Sequence, residues 1–252
     1  MPAGPLRSGT VTTPPPPDVP DDWPRPEPSE LQYARRVAIE ALADDTARPA
    51  IERLARHYDP TGRGAGTTFL ELPPVDPATI TAADLHALTV LNAPVAALVT
   101  RRLLTDSAIR AGIDEALEGL PTDVDLAAAD RATFAAMETL AQAVHAGCCD
   151  PRVANPNPWV TSAKLCTRKR PRLFPVRDRV VCEGLGLYGT AIRRYGNRRV
   201  DWQVFAFLIG EPDILQRLDE LTEQVQTTHG VRCDAVPLRV LDVALWTWLP
   251  RA

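Results

Sequence analysis

Lysine is nearly missing from this chain. Of 28 basic residues only Lys164 and Lys169 are lysine. Arginine dominance beside abundant Ala, Pro and Asp points to a GC-rich coding sequence rather than to a mechanism. Cysteine is sparse as well: Cys148, Cys149, Cys166, Cys182 and Cys233. An odd number, one adjacent pair and no Cys-x-x-Cys argue against a disulfide framework and against most zinc modules, so no metal or cofactor is expected. No apolar run approaches the ~18 residues a bilayer span needs, and the N-terminus lacks the charged-then-apolar pattern of a secretory signal. A reducing cytoplasm and no membrane partner are the expectation. No Gly-x-Ser-x-Gly marks a hydrolase elbow. The run 59–68 holds Gly62, Gly64 and Gly66 but not the lysine of a phosphate loop, and reads as a flexible loop.

What remains is ordinary globular material, 45% hydrophobic and 24% charged with a net charge of -4, long enough for one large core or two small lobes. Residues 1–28 hold ten of the 25 prolines and read as an extended or disordered tail. Order is expected over 29–252. Ser29 and Gln32 form a capping box before an apolar helical stripe, and Pro49 opens a second helix through Tyr58. Thr81 and Asp84 form another box. Helices are further expected from Pro94 to Leu104, Asp106 to Leu117, Ala127 to Ala146, Asp201 to Gly210, Pro212 to His229 and Pro237 to Leu249. The last is apolar on nearly every side and reads as a core helix, with Trp246 and Trp248 on different faces. No run alternates as strands do, so the predicted class is all-α.

One segment stands apart. From Arg152 to Arg177 the chain carries Arg152, Lys164, Arg168, Lys169, Arg170, Arg172 and Arg177 and no acid. A positive block in an acidic chain is a local field that recruits anions. Asn155-Pro-Asn-Pro158 predicts a turn feeding a short helix that Pro171 closes, and Asp178 stands where the N-cap of the next helix belongs. Lys164, Arg168 and position 172 share a helical face that fits a phosphate backbone; a solvated basic surface balancing acids elsewhere fits the same pattern. Asp178 has two readings also, a helix cap and a working carboxylate. The His145–Cys149 and His229–Cys233 runs lack the pairing of metal sites, and His57 and His86 read as ordinary packing or solvent contact.

Two resemblances follow. The stretches Ile80–Leu85, Trp159–Leu165, Arg168–Asp178 and Leu238–Trp246 resemble a family of actinobacterial proteins known as a domain of unknown function. The order of parts also resembles the helix-hairpin-helix DNA glycosylase superfamily. Val160 falls at its lysine position, Thr161-Ser162 at its Thr-Ala, and Asp178 at its catalytic aspartate. That resemblance implies a two-lobed all-α build, a cleft beside Asp178, and DNA contacts from Lys164, Arg168, Lys169, Arg170, Arg172 and Arg177. Pro156 and Pro158 replace the hairpin glycines and remove two backbone donors, and the missing lysine excludes Schiff-base chemistry at that position. A monofunctional glycosylase needs only the carboxylate and a pocket for the flipped base. The rival readings are a protein-interaction module whose basic block meets an acidic partner, and an enzyme acting on a small phosphorylated molecule.

Overall fold

The computed structural model describes residues 17–153, 157–187 and 197–250. Among them every α-helix expected from the patterning is present and there is no strand. In chain order they are α1 Pro28–Ala41, α2 Ala50–Tyr58, α3 Thr68–Glu71, α4 Ala82–Val90, α5 Ala97–Thr105, α6 Ser107–Glu118, α7 Arg131–Cys148, α8 Pro158–Lys169, α9 Arg179–Gly184, α10 Arg198–Gly210, α11 Pro212–His229 and α12 Pro237–Trp248. A 3-10 turn, Leu126–Ala128, precedes α7.

Half of the helix starts follow from short polar side chains that satisfy the first backbone N–H groups. Thr81 accepts from the Asp84 N–H, and the Asp84 carboxylate returns to the Thr81 N–H at 2.8 Å. Asn157 caps α8, where Pro158 sits in the first turn, and Asp178 caps α9. Two starts move. Helix α1 begins with Pro28 because Glu27 and Glu30, not Ser29 and Gln32, make the reciprocal box. The helix expected from Ala127 starts at Arg131, where Asp130 accepts from the Thr133 N–H at 2.8 Å.

The predicted tail divides. Residues 1–16 lie outside the described residues, as do Asn155 and Pro156 of the expected turn. From Pro17 the chain already packs: Val19 and Trp23 are buried, Trp23 lies edge-on to Phe134 at 5.9 Å, and Arg131 holds Asp18 and Asp21. Two buried apolar side chains, the Arg131 ion pairs and a hydrogen bond from Gln203 to the Pro24 carbonyl together hold this segment on the fold.

The core sits around α10 and α12. Every residue from Val200 to Ile209 and from Leu238 to Leu245 is buried. Helix α12 packs on α2, α1 and α11, α10 on the 3-10 turn, and α7 on α6 and α8. This arrangement brings α8 beside α4 and puts the start of α9 against α12.

Candidate functional site

Most of the basic block turns inward; Arg152 stays exposed and pairs with Asp150 at 2.7 Å. Lys164, Arg168, Lys169, Arg170 and Arg177 are none of them more than 9% exposed. Their partners are chiefly carbonyls at the ends of other helices. Lys164 Nζ donates to the Leu91 carbonyl, just past α4, at 2.7 Å. Arg168 donates to the carbonyls of Phe69, at 2.6 Å, and Leu72, closing α3, and its Nε reaches Asp84 at 3.0 Å. Arg170 donates to Leu117 at 2.5 Å and Leu120 at 2.8 Å, closing α6, and to Pro77 at 2.8 Å. Lys169 pairs with Asp84 and donates to the Asp76 carbonyl at 2.6 Å. Helix C-termini leave carbonyls without intrahelical donors and carry partial negative charge, so buried cations satisfy both needs. The solvent-facing basic row expected on α8 is therefore not formed. Arg172, half-buried, pairs with Asp125 at 2.6 Å, and Arg177 Nε reaches Asp201 at 2.6 Å. Burial pulls the Lys164 and Lys169 ammonium groups below the ordinary lysine range, against the opposing pull of Asp178 and Asp84.

Asp178 is both a cap and a cleft residue. One oxygen accepts the Val180 N–H at 2.9 Å. The same side chain lines a cavity of about 500 Å³. Capping uses one of a carboxylate's roughly four acceptor sites, so the two roles are compatible. The walls come from five places: the end of α2 and its glycine loop (His57, Arg63, Gly64), the end of α4 (Leu91, Asn92), α8 (Val160, Lys164), the start of α9, and one face of α12 (Arg239, Asp242, Val243, Trp246). Gly64 is required where it stands, because a Cβ there would run into the His57 carbonyl.

Four cationic residues, Lys164, Arg63, Arg179 and Arg239, and two acidic ones, Asp178 and Asp242, line the cleft. Arg63 and Arg179 are exposed at its rim, and Arg239 and Asp242 are buried at its base. Asp242 accepts the Val176 N–H at 2.9 Å and stands 3.5 Å from Arg239. Burial pushes its carboxyl up to about 7. Burial, and then the Arg239 charge, push His57 down to about 4. The His57 ring meets Tyr58 and Trp246 edge-on, and Tyr58 donates to Asp234 at 3.0 Å.

Of the expected site residues, Asp178 and Lys164 reach the cleft. Arg168, Lys169, Arg170, Arg172 and Arg177 do not line it. Arg239, Asp242 and His57 were not singled out by their pattern. The usable signal was two charges, Arg239 and Asp242, inside an otherwise apolar helix. Buried charge is rare unless it is paired. His145 Nε2 lies 3.4 Å from Cys149 Sγ, and among the described residues no group of three or more His, Cys, Asp or Glu gathers to hold a metal. No described helix is long and apolar enough to cross a membrane.

The model of DUF6308, a family of unknown function, matches residues 50–249. The chain belongs to that family. The DUF6308 match runs from α2 to the end of α12 and so includes every element of the cleft. No curated protein and no solved structure matches the chain.

Proposed function

We propose that the cleft binds a small phosphorylated molecule and that Asp178 is the carboxylate that acts on it. The observation that carries this reading is the convergence of Lys164, Arg239, Arg63 and Arg179 on one cavity beside Asp178. About 500 Å³ is within the ~300–1,000 Å³ of small-ligand sites. Lys164 presents three ammonium donors, of which the Leu91 carbonyl takes one. In this reading the cationic groups hold the phosphate, and Asp178 takes up a proton or stabilises positive charge that develops on the substrate. Calorimetric titration of the full chain with sugar phosphates and nucleotides tests it. Binding that weakens with salt supports the reading, and no binding to any of them at low salt sinks it. Asp178→Asn is expected to abolish turnover of a substrate so identified without loss of fold; retained turnover would remove Asp178 from the chemistry.

A second reading is a nucleic-acid-binding protein of helix-hairpin-helix glycosylase-like build. It is favoured by Asp178 opening α9 while facing a cavity large enough for a flipped base, with Val160, at the family's lysine position, on the wall. Fluorescence anisotropy with duplex, single-stranded and abasic-site DNA across a salt series separates the two. The small-molecule reading expects no tight binding to any of these. Burial of Lys164, Arg168, Lys169, Arg170 and Arg177 leaves Arg152 and Arg172, both paired with aspartates, as the block's surface toward an acidic protein partner.

A further inference from the structure

A second cavity adjoins the cleft. It measures about 370 Å³ and lies among the start of α5, the end of α7 and the start of α8. Pro94, Val95, Ala96 and Val99, from α5 and the turn before it, line it together with Cys148 of α7 and Val160 of α8. No charged residue stands among its described walls. The chain opens this space where α4 ends. Asn92 takes the left-handed conformation that asparagine tolerates, with φ 54°, and Pro94 follows it, so the chain turns away before α5 begins. Pro94 and Ala96 are exposed and Val95 and Val160 half-buried, which leaves apolar surface uncovered there. Asn92, Asn157 and Val160 line both cavities. The two asparagines are exposed, so the boundary is an open ridge rather than a buried partition. Lys164, which lines the cleft alone, follows Val160 on α8 by about one turn, a rise of ~6 Å.

We infer that the ligand is amphiphilic: a free phosphate monoester whose anionic end lies in the cleft at Lys164 and whose apolar body crosses the ridge into the second cavity. The inference rests on the phosphate reading of the cleft and specifies the group that the phosphate esterifies. Charge and apolar surface are divided between the two spaces, since all four cationic residues line the cleft and none lines its neighbour. A sugar carries hydroxyls on most of its carbons, and the only polar side chains to meet them in the second cavity, apart from the thiol of Cys148, are Asn92, Asn157 and Thr161. A hydrocarbon chain needs no such partners and gains affinity in proportion to the area it takes out of water. A bilayer lipid offers the same head group, but its chains stay in the membrane, whereas here both ends of the ligand lie in the protein.

The test is isothermal titration of the full chain with ethyl, butyl and hexyl phosphate, and with ribose 5-phosphate as a phosphate without an apolar body. A fully buried methylene is worth about fourfold in affinity. Hexyl phosphate is therefore expected to bind at least about tenfold more tightly than ethyl phosphate, even with its chain partly buried. Hexyltrimethylammonium, the same chain on a cation, is expected not to bind. Ala96→Trp, at an exposed position on the wall of the second cavity, puts a ring in the path of the chain. It is expected to remove the dependence on chain length and leave ribose 5-phosphate affinity unchanged. Equal wild-type affinity along the series, with ribose 5-phosphate bound, overturns the amphiphile and leaves the phosphate cleft standing. A dependence on chain length that survives in folded Ala96→Trp puts the apolar body elsewhere and overturns it, as does binding of the ammonium as tight as that of hexyl phosphate. Capture of the chain by phosphatidic acid vesicles without affinity for the free esters overturns the free source. Failure of every phosphate to bind overturns both readings. The wild-type series decides even if the variant does not fold.

Discussion

Arg168 carries a guanidinium charge and has almost no contact with water. Each of its three nitrogens donates once, to Asp84 and to the two carbonyls that end α3. Removing one partner of such a buried set leaves the rest uncompensated. Arg168→Ala is accordingly expected to cost about 3–5 kcal/mol in urea denaturation. Arg172→Ala, at a pair that water screens, is expected to cost no more than about 1 kcal/mol. Any loss of ligand binding in Arg168→Ala has to be read beside a melting curve, since unfolding alone produces it. Asp178 behaves differently. Asparagine is as good an N-cap as aspartate, so Asp178→Asn is expected to shift stability by less than about 0.5 kcal/mol. A larger loss would show that the carboxylate charge has a structural task beyond the cap.

At the scale of the element, α4 shows how one side chain serves two levels of structure. The Thr81–Asp84 box is legible in four residues of sequence, and it forms. The second duty of Asp84, pairing with Arg168 and Lys169, depends on residues more than eighty positions away and has no local signature. The two duties separate experimentally. Thr81→Ala removes the cap and the hydroxyl's bond to Asp84 but leaves both ion pairs, and is expected to cost about 1–2 kcal/mol. Asp84→Asn retains an acceptor for the box but strips the charge from two buried cations, with an expected cost of about 3 kcal/mol or more. Similar values for the two variants in chemical denaturation would refute the ion-pair role. Helix α12 shows the same division. Its apolar pattern placed it in the core, where it is, but Arg239 and Asp242 sit within that pattern and take their meaning from the cleft beside them.

For the whole molecule, two groups at the cleft make stability depend on pH in opposite directions. Asp242, raised from an ordinary 3.8 to about 7, favours folding when protonated. Its contribution is complete below its unfolded value and is lost as pH climbs toward 7. His57, lowered from an ordinary 6.5 to about 4, favours folding when neutral. Its contribution is complete above 6.5 and is lost as pH falls toward 4. Across the shared window, from about pH 4 to about 6.5, the two slopes oppose. Thermal melts are expected to unmask each: Asp242→Asn gains stability with rising pH, and His57→Gln loses it, each on the order of 3 kcal/mol over the window. Parallel slopes in the two variants would contradict this assignment. Burial of Val19 and Trp23 belongs to this scale too. Trp23→Ala is expected to cost about 3–5 kcal/mol by denaturation, because it opens a cavity between Phe134 and Trp202.

By itself the sequence determined the all-α class, most helix starts, the inner position of α12 and the place of Asp178 ahead of α9. These follow from capping chemistry, proline geometry and apolar spacing, which act over a few residues. Only the tertiary structure decided which way the cations of α8 point. Their acceptors are carbonyls at Phe69, Leu72, Asp76, Pro77, Leu91, Leu117 and Leu120, contributed by segments distant in sequence. A run of arginines has the same local pattern whether it faces water or closes other helices; the difference lies in unpaired carbonyls elsewhere, which come within reach only once the helices have assembled. The cleft has the same origin, since Asp178, Lys164 and Arg239 share no local pattern and meet only through the packing of α8 and α12 around the start of α9.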